Sequence, residues 1–105
     1  MPRWLPRTLA RVRRLAADGR VRFTLKALQE LGALGLDVED AVEVLRGLTA
    51  RDSAGRLAAT ETGEWMYVFR PEIAGDRPYL KLVIRWDCVL ISFHEGEKGD
   101  NPSER

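Results

Sequence analysis

The sequence predicts an α+β domain, with N-terminal helices packed on one face of a C-terminal antiparallel sheet of three to four strands. Three observations lead there. In the first half of the chain, apolar residues recur at steps of three and four, the spacing of one helix face. After residue 49 the spacing changes to two, the spacing of a strand face. The helical segments come before the strands instead of alternating with them, which favours an antiparallel sheet over a wound parallel one.

The helices follow in order. In "RTLARVRRLAADGR" (residues 7–20), Leu9, Val12 and Ala16 continue a stripe that begins at Leu5, while Arg7, Arg11 and Arg14 lie away from it. Gly19 is the predicted stop. Thr24 has the side chain to cap a second helix, "LKALQELGAL", with Leu28 and Leu31 turned inward, and Gly35 ends it. Asp37 caps a third, "VEDAVEVLRGL", whose stripe is Val38, Ala41, Val42, Leu45 and Leu48. Glu39 and Asp40 suit the positive end of that helix.

"TARDSAGR" reads as a loop and "LAATET" as a short strand turning through Gly63. In "GEWMYVFRPE", Trp65, Tyr67 and Phe69 alternate with Met66, Val68 and Arg70, so the three aromatics share one face, read as core. "RPEIAGDRP" is a turn, and "YLKLVIRW" and "CVLISFHE" are the clearest strands. Residues 1–95 form the predicted domain, and residues 96–105 a disordered polar tail.

The 105 residues are 45% hydrophobic and 31% charged, an ordinary globular composition. No apolar run approaches the roughly 18 residues of a membrane span. No apolar segment follows the basic N-terminus, so a secretory signal is not expected and cytoplasmic placement is. One cysteine, Cys88, permits neither an internal disulfide nor a cysteine-based zinc site. Net charge is +1, but residues 1–22 hold seven arginines against Asp18 alone, +6 locally, leaving −5 for the other 83 residues. That asymmetry suits a polyanion or an acidic partner, and it equally describes a solvated helix face. Arg11 and Arg14 are its candidate RNA-binding residues.

Pairing the last strands yields the main functional expectation. A tight hairpin centred on Trp86-Asp87 sets Leu80 against Phe93, Leu82 against Ile91 and Ile84 against Val89 on an apolar face. The other face then pairs Tyr79 with His94 and Lys81 with Ser92, at Cβ separations of about 4.5–5.5 Å. If the strand before it sets Arg70 opposite Tyr79, an exposed cluster results: Arg70, Tyr79, Lys81, Ser92 and His94, with Arg85 on the same face. His94 is the only histidine, and histidine is the residue type that ordinarily titrates near pH 6.5 and can exchange a proton at neutral pH. Metal-free RNA cleavage needs a base for the 2′-hydroxyl, an acid for the leaving oxygen and cations for the charge that develops on phosphorus. The cluster has residues of those types, although each is also a common surface residue. No phosphate-binding loop, nucleophile elbow or metal-ligand cluster competes with it.

At these residues the sequence resembles the MqsR-type toxins of bacterial toxin–antitoxin pairs. The likeness runs over most of residues 6–95: "VRRLAADGRVRFTLKAL", "LGLD" leading into "VEVLRGL", a Trp followed closely by "VFRP", and "YLKLVI" ending in "VLISFHE". It implies a RelE-like fold and a metal-independent, cofactor-free endoribonuclease acting on mRNA. It also implies a cognate antitoxin, a small protein with zinc-binding cysteines or a helix-turn-helix. Tyr79, Lys81 and Arg70 match family positions, but Met66 stands where the family has glutamine and His94 where it has lysine. Another family lysine has no clear match, and Arg56 is the nearest cation. Two functions are therefore expected: a ribonuclease toxin using His94, Tyr79, Lys81, Arg70 and Arg56, or a non-catalytic RNA- or protein-binding regulator on the same fold.

Overall fold

The computed structural model describes residues 1–95, so the predicted tail lies outside the described residues. Among those residues, helices α1 (Trp4–Ala17), α2 (Leu25–Ala33) and α3 (Val38–Arg46) accompany strands β1 (Val21–Phe23), β2 (Ser53–Ala58), β3 (Trp65–Phe69), β4 (Tyr79–Ile84) and β5 (Cys88–His94). The strand order is β1-β5-β4-β3-β2, antiparallel except for β1, which runs parallel to β5. The class is α+β as predicted, but the sheet is five-stranded and mixed, not a purely antiparallel sheet of three to four strands. The difference comes from β1, three residues too short to carry a period of its own. It exists because Cys88 N–H reaches the Arg20 carbonyl and Thr24 N–H reaches that of Leu90.

α1 begins three residues before the predicted Arg7. Pro6 does not prevent this, because N–H groups of a helix's first turn have no partner inside the helix and proline's missing one costs nothing there. The helix ends with Gly19 at φ +75°, where Gly19 N–H reaches the Ala16 carbonyl and Arg20 N–H that of Leu15. This double closure needs a residue that tolerates the left-handed region. Thr24 caps α2, its hydroxyl oxygen accepting from Ala27 N–H at 3.0 Å. α2 buries Ala27 and Leu31, one turn apart, so the predicted inward Leu28 is 41% exposed instead. In α3, Asp37 and Asp40 cap each other's backbone reciprocally at 2.8 and 2.9 Å. Its buried stripe is Ala41 and Leu45, extended by Leu48, with Val38 exposed in the first turn. The predicted loop at 49–56 is instead a 3₁₀ turn (Ala50–Asp52) running directly into β2.

The helices cover one face of the sheet. Phe69, Leu80, Leu82, Cys88, Leu90 and Phe93 meet Leu9, Val12, Leu31 and Leu45 there, all essentially inaccessible. Each large side chain so buried contributes about 1.5–3 kcal/mol. The aromatic face of β3 is graded: Phe69 is fully buried, Tyr67 partly, and Trp65 is 42% exposed at the sheet margin. Only part of the predicted aromatic core is core.

The β3–β4 register is as predicted, Tyr67 facing Leu82 and Phe69 facing Leu80. In β4–β5, Tyr79 faces His94, Leu80 faces Phe93 and Lys81 faces Ser92, also as predicted. The register then shifts, so that Leu82 faces Leu90, Val83 faces Val89 and Ile84 faces Cys88. The predicted Leu82–Ile91 and Ile84–Val89 pairs do not form. Ile91 is the extra residue of a β-bulge, and it lets Cys88 and Leu90 enter the core together with Phe93, which a strictly alternating strand cannot do.

Candidate functional site

The bulge determines which way the end of β5 faces, and α2 holds it. Phe93 N–H donates to the Glu30 carboxylate at 2.8 Å, and the Thr24 hydroxyl donates to the Ile91 carbonyl at 3.0 Å. The groups that a bulge takes out of the ladder are thus bonded from the helix side. Burial raises the Glu30 carboxyl pKa, but hydrogen bonds from Lys26 and Phe93 N–H, with the charges of Lys26 and His94, outweigh it and hold the group below its ordinary value. Past the bulge, Ser92 and His94 share the uncovered face with Tyr79 and Lys81.

On that face Arg70, Tyr79, Lys81 and His94 line one open depression of about 600 Å3, with Val68 and Leu57 at its side. The Tyr79 and His94 rings lie 5.4 Å apart, tilted by 33°. The Arg70 guanidinium carbon sits 4.2 Å from the Tyr79 ring centre, a cation–π contact. Arg70 is braced in turn: it donates to the Arg77 carbonyl at 2.9 Å, and Arg77 donates back to the Arg70 carbonyl at 3.1 and 3.2 Å. Nδ1 of His94 lies 3.1 Å from the Glu95 carbonyl. A carbonyl only accepts, so this contact places the proton on Nδ1 and leaves Nε2 as the nitrogen that can exchange one.

Two side-chain atoms among the described residues are buried without a hydrogen-bond partner, Arg70 Nε and Ser92 Oγ. Both belong to this cluster. Orphaned polar atoms are rare and costly in folded proteins, and both of these fall within the one cluster.

Five predicted site residues, Arg70, Tyr79, Lys81, Ser92 and His94, are brought together. Four others are not. Part of Arg56 borders the depression, but its guanidinium stacks 3.7 Å from the Trp65 ring centre and 4.8 Å from that of Trp4. Arg56 faces Tyr67 across β2–β3, beyond the register shift between Ser53 and Arg56, and so points to the helix side. Arg85 lies past the end of β4 and forms a paired contact with Glu64 at 2.8 and 2.9 Å. That hydrogen bond and the Arg85 charge hold the Glu64 carboxyl below its usual range. Arg11 donates to the Arg85 carbonyl at 3.3 Å, and Arg14 is simply exposed on α1.

The basic N-terminal segment is correspondingly divided. Arg20 and Arg22 both pair with Asp87, and Arg13 donates to the Leu48 carbonyl. Arg3, Arg7 and Arg11 line a second concavity. The roles of Glu30 and Thr24 in holding the bulge carry no sequence signal beyond the Thr24 cap. The arginines of the second concavity do carry one, a four-residue spacing around Trp4. Among the described residues, no three His, Cys, Asp or Glu side chains gather where they could hold a metal ion. No described helix is long and apolar enough to cross a membrane.

The family described as "Motility quorum-sensing regulator, toxin of MqsA" matches residues 6–95. Over 88 residues the chain is 32% identical to the mRNA interferase toxin MqsR of Escherichia coli (strain K12), an alignment covering 83% of this chain and 90% of that protein. With the family match spanning nearly all the described residues, the chain belongs to the MqsR toxin family.

Proposed function

We propose that this protein is an endoribonuclease toxin that cleaves mRNA at the Arg70–Tyr79–Lys81–His94 depression. The observation that carries the reading is the meeting of an imidazole, an ammonium, a guanidinium and a phenol in one concavity, over two orphaned polar atoms. Family membership and a relative named as an mRNA interferase support it.

In the proposed reaction, Nε2 of neutral His94 takes the proton of a ribose 2′-hydroxyl as the 2′-oxygen bonds to the adjacent phosphorus. The bond from phosphorus to the 5′-oxygen breaks, and the Lys81 ammonium supplies that oxygen's proton. The products are a 2′,3′-cyclic phosphate and a 5′-hydroxyl. Arg70 and Lys81 stabilise the charge on the non-bridging oxygens. Tyr79, held by Arg70, orients the nucleotide by stacking or by its hydroxyl. No step calls on a metal or cofactor. The same proposal includes a RelE-like classification of the fold, a single domain over residues 1–95, action in the cytoplasm, and neutralisation by an antitoxin with zinc-binding cysteines or a helix-turn-helix.

Incubating the purified protein with RNA in the presence of a chelator tests this. Cleavage leaving cyclic-phosphate ends, lost in His94→Ala and Lys81→Ala, is the expected result; intact RNA at high protein concentration contradicts it. A second reading, a non-catalytic regulator, is favoured by one observation. Met66 shares the Val68–Arg70 side of β3 and offers the cluster face a thioether in place of a hydrogen-bonding amide. Induced expression separates the two: growth arrest relieved by His94→Ala supports the enzyme, and arrest indifferent to that change supports the regulator.

A further inference from the structure

On the helix side of the sheet, α1 and the β3 margin enclose an open cleft of about 860 Å3 that the depression's chemistry does not use. Arg3, Arg7 and Arg11 line it at four-residue spacing, so their attachment points repeat about every 6 Å along α1. That interval is close to the step between successive phosphates of an extended single strand. The cleft's aromatic wall is Trp4 and Trp65, with the Arg56 guanidinium against both rings. Glu64 is the acidic group on the lining, and Arg85 neutralises it through two hydrogen bonds. The cleft is thus cationic along one side and flat and aromatic along the other.

We infer that this arginine–tryptophan cleft is a second RNA-binding site, taking single-stranded RNA by ion pairing to phosphates and stacking of bases. Trp65, 42% exposed on β3, sets an aromatic surface beside the three arginines of the helix. A surface made for an acidic protein segment would need the arginines but not the stacked rings. The cleft and the depression lie on opposite faces of the sheet and share Arg56 at the β2 edge. A strand engaged in both therefore passes over that edge, and the cleft holds the substrate away from the scissile bond. This inference rests on RNA being the substrate of the depression.

The test uses the native full chain and a labelled 2′-O-methyl RNA, which lacks the attacking hydroxyl and cannot be cleaved by the proposed route. The charge-reversed double variant Arg3→Glu/Arg7→Glu, at two exposed positions, should weaken binding more than tenfold, and each phosphate ion pair removed should reduce the salt slope by about 0.7. Trp65→Ala should weaken binding by about 5- to 150-fold. Cleavage of a dinucleotide, too short to reach the cleft, should be unchanged, while KM for a long RNA rises. Binding unaffected by the arginine pair overturns the inference. So does weakening upon charge reversal with no effect of Trp65→Ala, if polyglutamate competes as well as RNA does, since that pattern describes an acidic-protein surface. Dinucleotide cleavage with cleft-independent RNA binding overturns the cleft and leaves the catalytic reading standing. Cleft-dependent binding with no cleavage at all overturns the catalytic reading and leaves the cleft.

Discussion

Replacing Glu30 by alanine isolates the contact that holds the β5 bulge. The Glu30 carboxylate accepts from Phe93 N–H at 2.8 Å, and Phe93 has no accessible surface, so the variant leaves a buried donor without a partner. Removing a hydrogen bond to a charged acceptor costs about 1.5–3 kcal/mol. The Lys26–Glu30 pair, on a side chain 61% exposed at the lysine, adds about 0.3 kcal/mol. The expected loss is therefore about 2 kcal/mol, or about 10 °C in Tm for a domain of this size. Glu30→Gln keeps an oxygen at the same place and should lose less than about 1 kcal/mol. Urea unfolding followed by circular dichroism measures both. The native carboxyl is held below its ordinary value of 4.5, so its contribution is complete above that pH and disappears as pH falls toward the folded value. Glu30→Gln should flatten that acid limb. Because His94 follows Phe93 directly, Glu30→Ala should also lower kcat for RNA with little change in KM, and Glu30→Gln should restore it. An alanine variant as stable and active as the native protein, or a glutamine variant as damaged as the alanine one, refutes this account of the bulge.

Three further outcomes are expected. Burial and the neighbouring Asp87 charge push the Cys88 thiol up to about 12, so iodoacetamide at pH 8 should leave native Cys88 unmodified and label it rapidly in urea. The folded thiol stays protonated above the ordinary value of 9.0 while the unfolded one ionises, so stability should fall by about 1 kcal/mol by pH 10, and Cys88→Ala should lack that component. Asp37→Ala removes the α3 cap and should cost about 1 kcal/mol in urea unfolding, without affecting cleavage.

The parts of the fold legible in the sequence are those determined by neighbours along the chain. Thr24 and Asp37 cap the helices they were expected to cap, because capping needs only a short polar side chain and the next three residues. The pairing of Tyr79 with His94 and of Lys81 with Ser92 agrees with the sequence reading because two departures cancel: the turn is one residue longer than the tight hairpin expected, and the bulge at Ile91 restores the phase. The bulge at Ile91 was not legible. "CVLIS" is apolar at four successive positions, so either phase buries something, and the choice falls to Glu30 and Thr24, more than sixty residues away. β1 was missed for a related reason, since three residues become a strand only when β5 lies beside them. Arg56, read as part of a loop and as the cation nearest an unmatched family lysine, stands in β2 beyond a register shift, with Gly55 at φ +100°, that residue types alone do not reveal. Arg85 looked like a free cation on a strand face until the turn brought it to Glu64. Trp4 and Arg3 lie ahead of residues 7–20, read as the first helix, and only the start of α1 at Trp4 joins them to its arginine row.

Within the site, position and role separate in the same way. Which residues share the depression follows from strand parity, which sequence carries. Which of them is orphaned or braced follows from tertiary contacts such as the Arg70–Arg77 exchange, which it does not.

The central claim is that His94 moves a proton in RNA cleavage, and the pH dependence of single-turnover cleavage tests it most directly. Native protein should show a rate that rises with pH, and His94→Ala should lose that rise together with about 10²- to 10⁴-fold in rate. A His94→Ala protein that cleaves at the native rate with the same pH profile contradicts the account.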